Sequence, residues 1–222
     1  SHNTMCNSLK RVFVLSAMLI RINGYAQISR HEIGLNLITN VRTPYASIGK
    51  EKYDGITVLS GLCYKLYTDT LTIRASLGRE STGFEIGDRN TSEPHQFFKS
   101  NGSIVTIGVQ KGWIWGKTEF GGFLDLKYER RIAVGEDWGG AAFGGRKYDY
   151  NDKIIGMAPG FNFAYRISAK LSIQYETNVV FQQVKSVENY IKSGADLYSS
   201  RERTSSETYF KPISGFVVSL KI

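Results

Sequence analysis

The sequence predicts an all-β fold, an eight-stranded antiparallel up-and-down β-barrel, and three observations lead there. The first is strict two-residue alternation over long segments. From Ile155 to Tyr165 the odd positions are bulky or proline (Ile155, Met157, Pro159, Phe161, Phe163, Tyr165), while the even ones are small or polar. Leu171 to Gln182 repeats the pattern after a short turn. A period of two means strands with unlike faces. The second is that eight such segments occur, with connections that run long, short, long, short, long, short, long. An antiparallel meander gives this order simply, with all short turns at one end. The third is composition: 13 Tyr, 12 Phe, 3 Trp and 23 Gly against 4 Pro, 41% hydrophobic residues, and no apolar run long enough for a spanning helix.

Taken in order, Ile33, Leu35 and Leu37 alternate with Glu32, Gly34 and Asn36 in a first strand over about 30–41. A polar loop, 42–53, carries Pro44 and Gly49. The second strand, about 55–67, puts Ile56, Val58, Ser60, Leu62, Tyr64 and Leu66 on one face, and Thr68-Asp69-Thr70 turns the chain. The third shows Leu71, Ile73, Ala75 and Leu77 before its pattern dissolves through Gly102. The fourth resumes at Ile104 and ends in a turn flanked by Trp113 and Trp115. The fifth, about 117–130, sets Phe120, Leu124, Leu126 and Tyr128 against Glu119, Asp125, Lys127 and Glu129. A glycine-rich connection, 131–153, leads to the hairpin of 154–182. A fourth long loop, 184–207, contains a predicted helical turn at Val187 to Ile191. The last strand, about 209–222, ends in Phe216, Val218, Leu220 and Ile222.

The first 26 residues read differently. Lys10 and Arg11 precede the apolar run Val12 to Ile20, and Gly24 and Ala26 stand at the spacing for cleavage before Gln27, the layout of a secretory signal peptide. Ser1 to Thr4 precede Met5 and are left out of the fold reading; residues 27–222 form the barrel domain. Removing 1–26 takes away Lys10, Arg11 and Arg21 and no acid, which lowers the formal charge from +8 to +5. With no basic block, nucleic-acid binding is not expected. Cys6 lies ahead of the apolar run, so Cys63 is the one cysteine left; no disulfide, zinc site or cofactor is expected.

Volume decides which face points inward. An eight-stranded barrel has room inside for side chains or one small ligand. The large apolar set would overfill it, whereas the set rich in glycine, alanine, serine and threonine leaves space for a few charged side chains. The apolar face therefore points outward to lipid, and the barrel is transmembrane. The predicted lumenal charge network comprises Lys65, Arg74, Glu119, Asp125, Lys127, Glu129, Gln174 and Glu176, since buried charges need partners. Aromatic girdles are expected from Tyr64, Tyr67, Trp113, Trp115 and Tyr165 at the short-turn end and from Tyr128, Phe181 and Tyr209 at the other. Pro159, in mid-strand on the apolar face, suggests a bulge.

In this pattern residues 30–222 resemble the small bacterial outer-membrane β-barrel proteins, of the OmpX-like type and the membrane domain of OmpA-like proteins. The leader ending in Tyr25-Ala26-Gln27 is similar to those of Bacteroidetes porin-family barrels. The resemblance implies a Gram-negative outer-membrane location, with short turns in the periplasm and long loops outside the cell, surrounded by outer-membrane lipid and lipopolysaccharide. It implies no activity. His31 and His95 have no neighbouring serine and carboxylate that suggest a triad, so no enzyme is expected. Trp138, Tyr148, Tyr150, Tyr190, Tyr198, Arg201 and Arg203 are the loop residues for contact with an extracellular ligand or another envelope protein. Three functions follow: a plugged structural or binding barrel, a narrow pore for small solutes, or a soluble lipocalin-like carrier of a hydrophobic ligand.

Overall fold

The computed structural model describes residues 30–42, 54–86, 95–138, 145–192 and 198–222. The leader, the polar loop and the glycine-rich segment around residue 140 lie outside the described residues. Eight strands follow one another: β1 (Arg30–Arg42), β2 (Asp54–Tyr67), β3 (Thr72–Ile86), β4 (His95–Trp115), β5 (Thr118–Trp138), β6 (Gly145–Arg166), β7 (Leu171–Lys192) and β8 (Tyr198–Lys221). Each pairs antiparallel with its sequence neighbour, and β1 pairs with β8 to close the ring.

The short turns show why the chain reverses where it does. Thr68 caps its turn, donating backbone N–H (2.9 Å) and hydroxyl (2.6 Å) to the Leu71 carbonyl. Between Trp115 and Thr118, Gly116 takes φ 60° as the first of two central residues, which suits a tight hairpin. Ile167 N–H bonds the Leu171 carbonyl at 2.9 Å in the third turn.

Strands β3 to β8 run much further from these turns than the sequence pattern indicates. Most of the expected connections 78–102, 131–153 and 184–207 are strand, and Val187 to Ile191 is part of β7 rather than a helical turn. The reason is an inversion of polarity along the strands. Near the turns the outward residues are apolar. Further up, Lys99, Arg130, Lys153 and Lys185 face outward and exposed, while Phe98, Ala133, Tyr150, Ile154 and Val184 face inward and are buried. Alternation persists, but the contrast is mixed, for Ile132 and Val134 still face outward and Arg131 and Asp152 inward.

The ring does not close over this whole height. The β1–β8 ladder ends at Ile38↔Phe216 and the β2–β3 ladder at Gly61↔Gly78. Above them β3 to β8 continue as a six-stranded wall, beside a β1–β2 ribbon paired up to Arg42↔Asp54. Side chains tie these seams: Thr39 donates to the Ser214 carbonyl (3.0 Å) and Thr57 to that of Ser81 (3.0 Å).

Two local expectations are corrected. Ser60 is buried and Leu59 exposed, because the β1–β2 register shifts there and Leu59 takes φ 54°. Pro159 makes no bulge: it pairs with Leu124 on β5, and the β6–β7 register is the same on either side of it. The β7 ladder simply skips Ala158 and Pro159, as expected where proline has no N–H to give.

Candidate functional site: the charged lumen

The inward face of the barrel is a stack of buried ionic layers. At the bottom, near the short turns, the Glu32 carboxylate accepts from Ser219 Oγ (2.7 Å), Tyr67 OH (3.1 Å) and Gln174 Nε2. The Gln174 carbonyl oxygen in turn accepts from Lys65 Nζ at 2.5 Å.

Arg74 occupies the middle. Its Nη2 donates to Glu176 Oε2 (2.7 Å), its Nε lies 3.0 Å from Asp125 Oδ1, its Nη1 donates to Gln110 Oε1 (3.2 Å), and its guanidinium sits 4.0 Å from the centre of the Phe123 ring. Gln110 passes the chain on to Glu119 (3.3 Å), which also faces Arg166 at 3.5 Å. A fork of donors opposite two carboxylates is the arrangement a guanidinium serves best.

Glycine makes this layer possible. Gly108 pairs with Arg74 on one side and Asp125 on the other, and a Cβ there would stand 2.2 Å from Asp125 Oδ1 and 2.3 Å from the Leu124 carbonyl. Replacing Gly108 with valine is expected to cost about 1–3 kcal/mol by overpacking. A lowered midpoint in a urea titration checks this.

The upper layer joins Lys127 to Glu129 (2.8 Å) and Arg131 to Glu129 (2.6 Å), with Lys211 paired to Glu80. Tyr209 closes it, donating to Gln182 at 3.4 Å. Between the middle and upper layers, a cavity of about 100 Å³ is bounded by Arg74, Asp125, Lys127, Glu176 and Lys211. That volume, with its polar lining, has room for water. Above the upper layer Phe98, Ala133 and Tyr150 form an apolar cluster on the inner face, with Tyr148 packed against it.

All eight residues of the expected network, Lys65, Arg74, Glu119, Asp125, Lys127, Glu129, Gln174 and Glu176, are buried. Glu32, Glu80, Gln110, Arg131 and Lys211, outside the expected network, join them. Glu32 was legible, since it alternates with Ile33 and Leu35. Glu80, Arg131 and Lys211 lie in or beside stretches whose polarity contrast inverts.

The expected aromatic girdles are placed in part. Tyr64, Trp113, Trp115, Tyr128, Tyr165 and Phe181 are exposed on the outer face. Tyr67 and Tyr209 are not: Tyr67 bonds Glu32, and Tyr209 is buried in the lumen. Alternation itself decides this, for Tyr67 shares the parity of Lys65, and Tyr209 that of Val217.

The loop candidates are also relocated. Trp138, Tyr148, Tyr150, Tyr190, Tyr198, Arg201 and Arg203 all lie in strands, at the upper ends of β5 to β8. Tyr150 is buried and donates to Glu188 at 3.3 Å, whereas Arg201 and Arg203 are exposed. His95, expected in a loop, is the buried first residue of β4, 3.9 Å from Glu136. His31 meets the Tyr64 hydroxyl at 2.5 Å. Among the described residues no group of three or more His, Cys, Asp or Glu is placed to hold a metal ion.

No protein-family model matches the chain. No curated protein matches it either. Among solved structures it is similar to outer membrane protein W of E. coli, determined by solution NMR, at 12% identity over 88% of this chain and 99% of that one, with a TM-score of 0.45. It is also similar to the P. putida toluene transporter TodX, at 15% identity over 82% of this chain and 55% of that one, with a TM-score of 0.37.

Proposed function

We propose that the chain is an integral β-barrel of a bacterial outer membrane, exported by its N-terminal leader, whose interior is a polar plug and whose role is structural or binding rather than catalytic. One observation carries this reading. On β5, Phe120, Leu124, Leu126 and Tyr128 are between 44% and 57% exposed, while Glu119, Asp125 and Lys127 on the same strand are no more than 7% exposed. A protein that folds in water places these groups the other way round. On β6 the exposed apolar face runs from Ile155 to Tyr165. At about 3.4 Å per residue and a tilt near 40°, this makes a band roughly 26 Å tall, the thickness such barrels present to lipid.

A lipocalin-like carrier needs an apolar lumen, and this one is ionic. The plug reading is supported by the paired layers, which crowd the lumen around a cavity of about 100 Å³. In planar bilayers the purified protein is expected to show no stable conductance. Steady ion-sized channels would replace the plug with the narrow-pore reading. Recovery from the soluble fraction without detergent, with no gel shift between boiled and unboiled samples, would remove the membrane reading itself. The upper wall, with Arg201 and Arg203 exposed, is the surface left for an extracellular ligand or envelope protein.

A further inference from the structure

One rung above the apolar band, the outer face carries a row of cations. The ladders align Arg79 on β3, Ser103 on β4, Arg130 on β5, Lys153 on β6, Lys185 on β7 and Thr204 on β8. The rung below is Leu77, Val105, Tyr128, Ile155, Gln183 and Ser206, the upper edge of the band. All four basic residues are exposed. Neighbouring strands lie about 4.8 Å apart, and like charges directly opposite one another are destabilising. Arg130 faces Lys153, and Lys153 faces Lys185, without an intervening acid.

Among the described residues the protein neutralises this row only at Lys185. Lys185 pairs with Glu202, and Arg79 donates to Asn101 Oδ1 at 2.9 Å. Among the described residues, no carboxylate pairs with Arg130, Lys153 or nearby Lys99. The outward acids Asp149 and Glu136 stand two and three rungs further from the band. On the outer wall a depression opens between Arg79, Lys99, Asn101, Ser103 and Arg130. Its polar rim offers Arg79, Lys99 and Arg130 to an anionic group, and Ile132 and Val134 line its side away from the band.

We infer that this row is a docking site for the phosphorylated headgroup of a membrane lipid in the leaflet at the long-connection end. The inference rests on the membrane reading above, because the row is level with headgroups only if the band lies in hydrocarbon. Cations close to a bilayer surface attract anionic headgroups, and the attraction grows with each added Lys or Arg. Leu77, Val105, Tyr128 and Ile155 beneath fix the lipid's depth, and the row fixes its phosphates.

The test uses the full chain in non-ionic detergent and dye-labelled, bisphosphorylated lipid A, with binding read by fluorescence anisotropy. Binding is expected to weaken as salt is raised, and to weaken roughly tenfold or more in the double variant R130Q/K153Q. The double variant K117Q/K170Q, altered at the short-turn end, should bind as the parent does. Equal binding by R130Q/K153Q, or equal binding of the dephosphorylated lipid, overturns the inference. Displacement by inorganic phosphate alone would make the row a free-anion site and overturn the lipid assignment. These outcomes are separate from loss of the membrane reading, which the fractionation and gel shift report on the same preparations. R130Q/K153Q should keep that gel shift, since it removes a like-charge contact and leaves the lumen intact.

Discussion

Replacing Arg74 with methionine is expected to lower the unfolding free energy of the barrel by about 3–5 kcal/mol, the range for breaking a buried ion pair from one side. The size follows from what remains. Glu176 and Asp125 would face each other in the middle layer with Lys65, 3.7 Å from Glu176, as the remaining cation within ion-pair distance among the described residues. Methionine keeps much of the volume and the contact with Phe123, so the loss reads charge rather than packing. A denaturant titration followed by tryptophan fluorescence measures it. The triple variant R74M/D125N/E176Q should recover a large part of the loss, because it removes the carboxylate charges that lost their partner. A single variant that unfolds with the parent would show that the ionic layers do not hold the barrel together.

Leu124→Arg is expected to cost about 2–4 kcal/mol in a bilayer, the range for arginine at mid-depth on the lipid face of a barrel. Leu124 lies midway between Phe120 and Tyr128 on the outer face and is 44% exposed, so arginine meets no steric obstacle there. In water the same change would be nearly neutral, as surface substitutions usually are. Thr204→Arg, on the rung of Arg130 and Lys153, serves as the comparison and should cost at most about 1 kcal/mol, from facing Lys185. Unfolding from vesicles of defined lipid distinguishes them. Equal stability of the two variants would place the apolar band outside the hydrocarbon.

The fold was legible where one physical pattern ran unbroken. Between Ile154 and Gln182 every outward position is apolar or nearly so, and both the strand limits near the turn and the inward parity follow from a period of two. The same rule applied to Tyr67 and Tyr209 sends both into the lumen, where parity outranks aromatic character. The upper halves of β3 to β8 were not readable in this way. There the strands leave the apolar band, and Phe98 and Tyr150 turn inward while Lys99 and Lys153 turn outward. A search for one continuous apolar face sees this reversal as the end of the strand.

The site was legible as a set of residues and not as a set of pairs. Parity places Arg74 and Glu176 in the lumen, but they are 102 positions apart, on β3 and β7. Their meeting depends on register around the ring, and on Gly108 leaving the space between Arg74 and Asp125 empty. Ser60 shows the converse limit. Its burial depends on Leu59 adopting a left-handed backbone, a strained choice that alternation gives no sign of.

The β1–β8 seam has a consequence for how the chain reaches this state. Seven of the eight ladders join strands adjacent in sequence, and each can form as a local hairpin. The eighth joins segments as far apart as Ser219 and Glu32, 187 positions, and it is a short ladder that stops at Phe216. Closing so large a loop costs chain entropy before any contact returns it. The lowest lumenal layer spans this seam, with Ser219 and Gln174 both bound to Glu32, and the Asn36 side-chain Oδ1 accepts from Phe216 N–H at 3.2 Å. Those bonds act as a latch: the terminal strands are held together by polar groups that are sheltered from water only once the ring has shut, which makes closure the late, cooperative step of assembly.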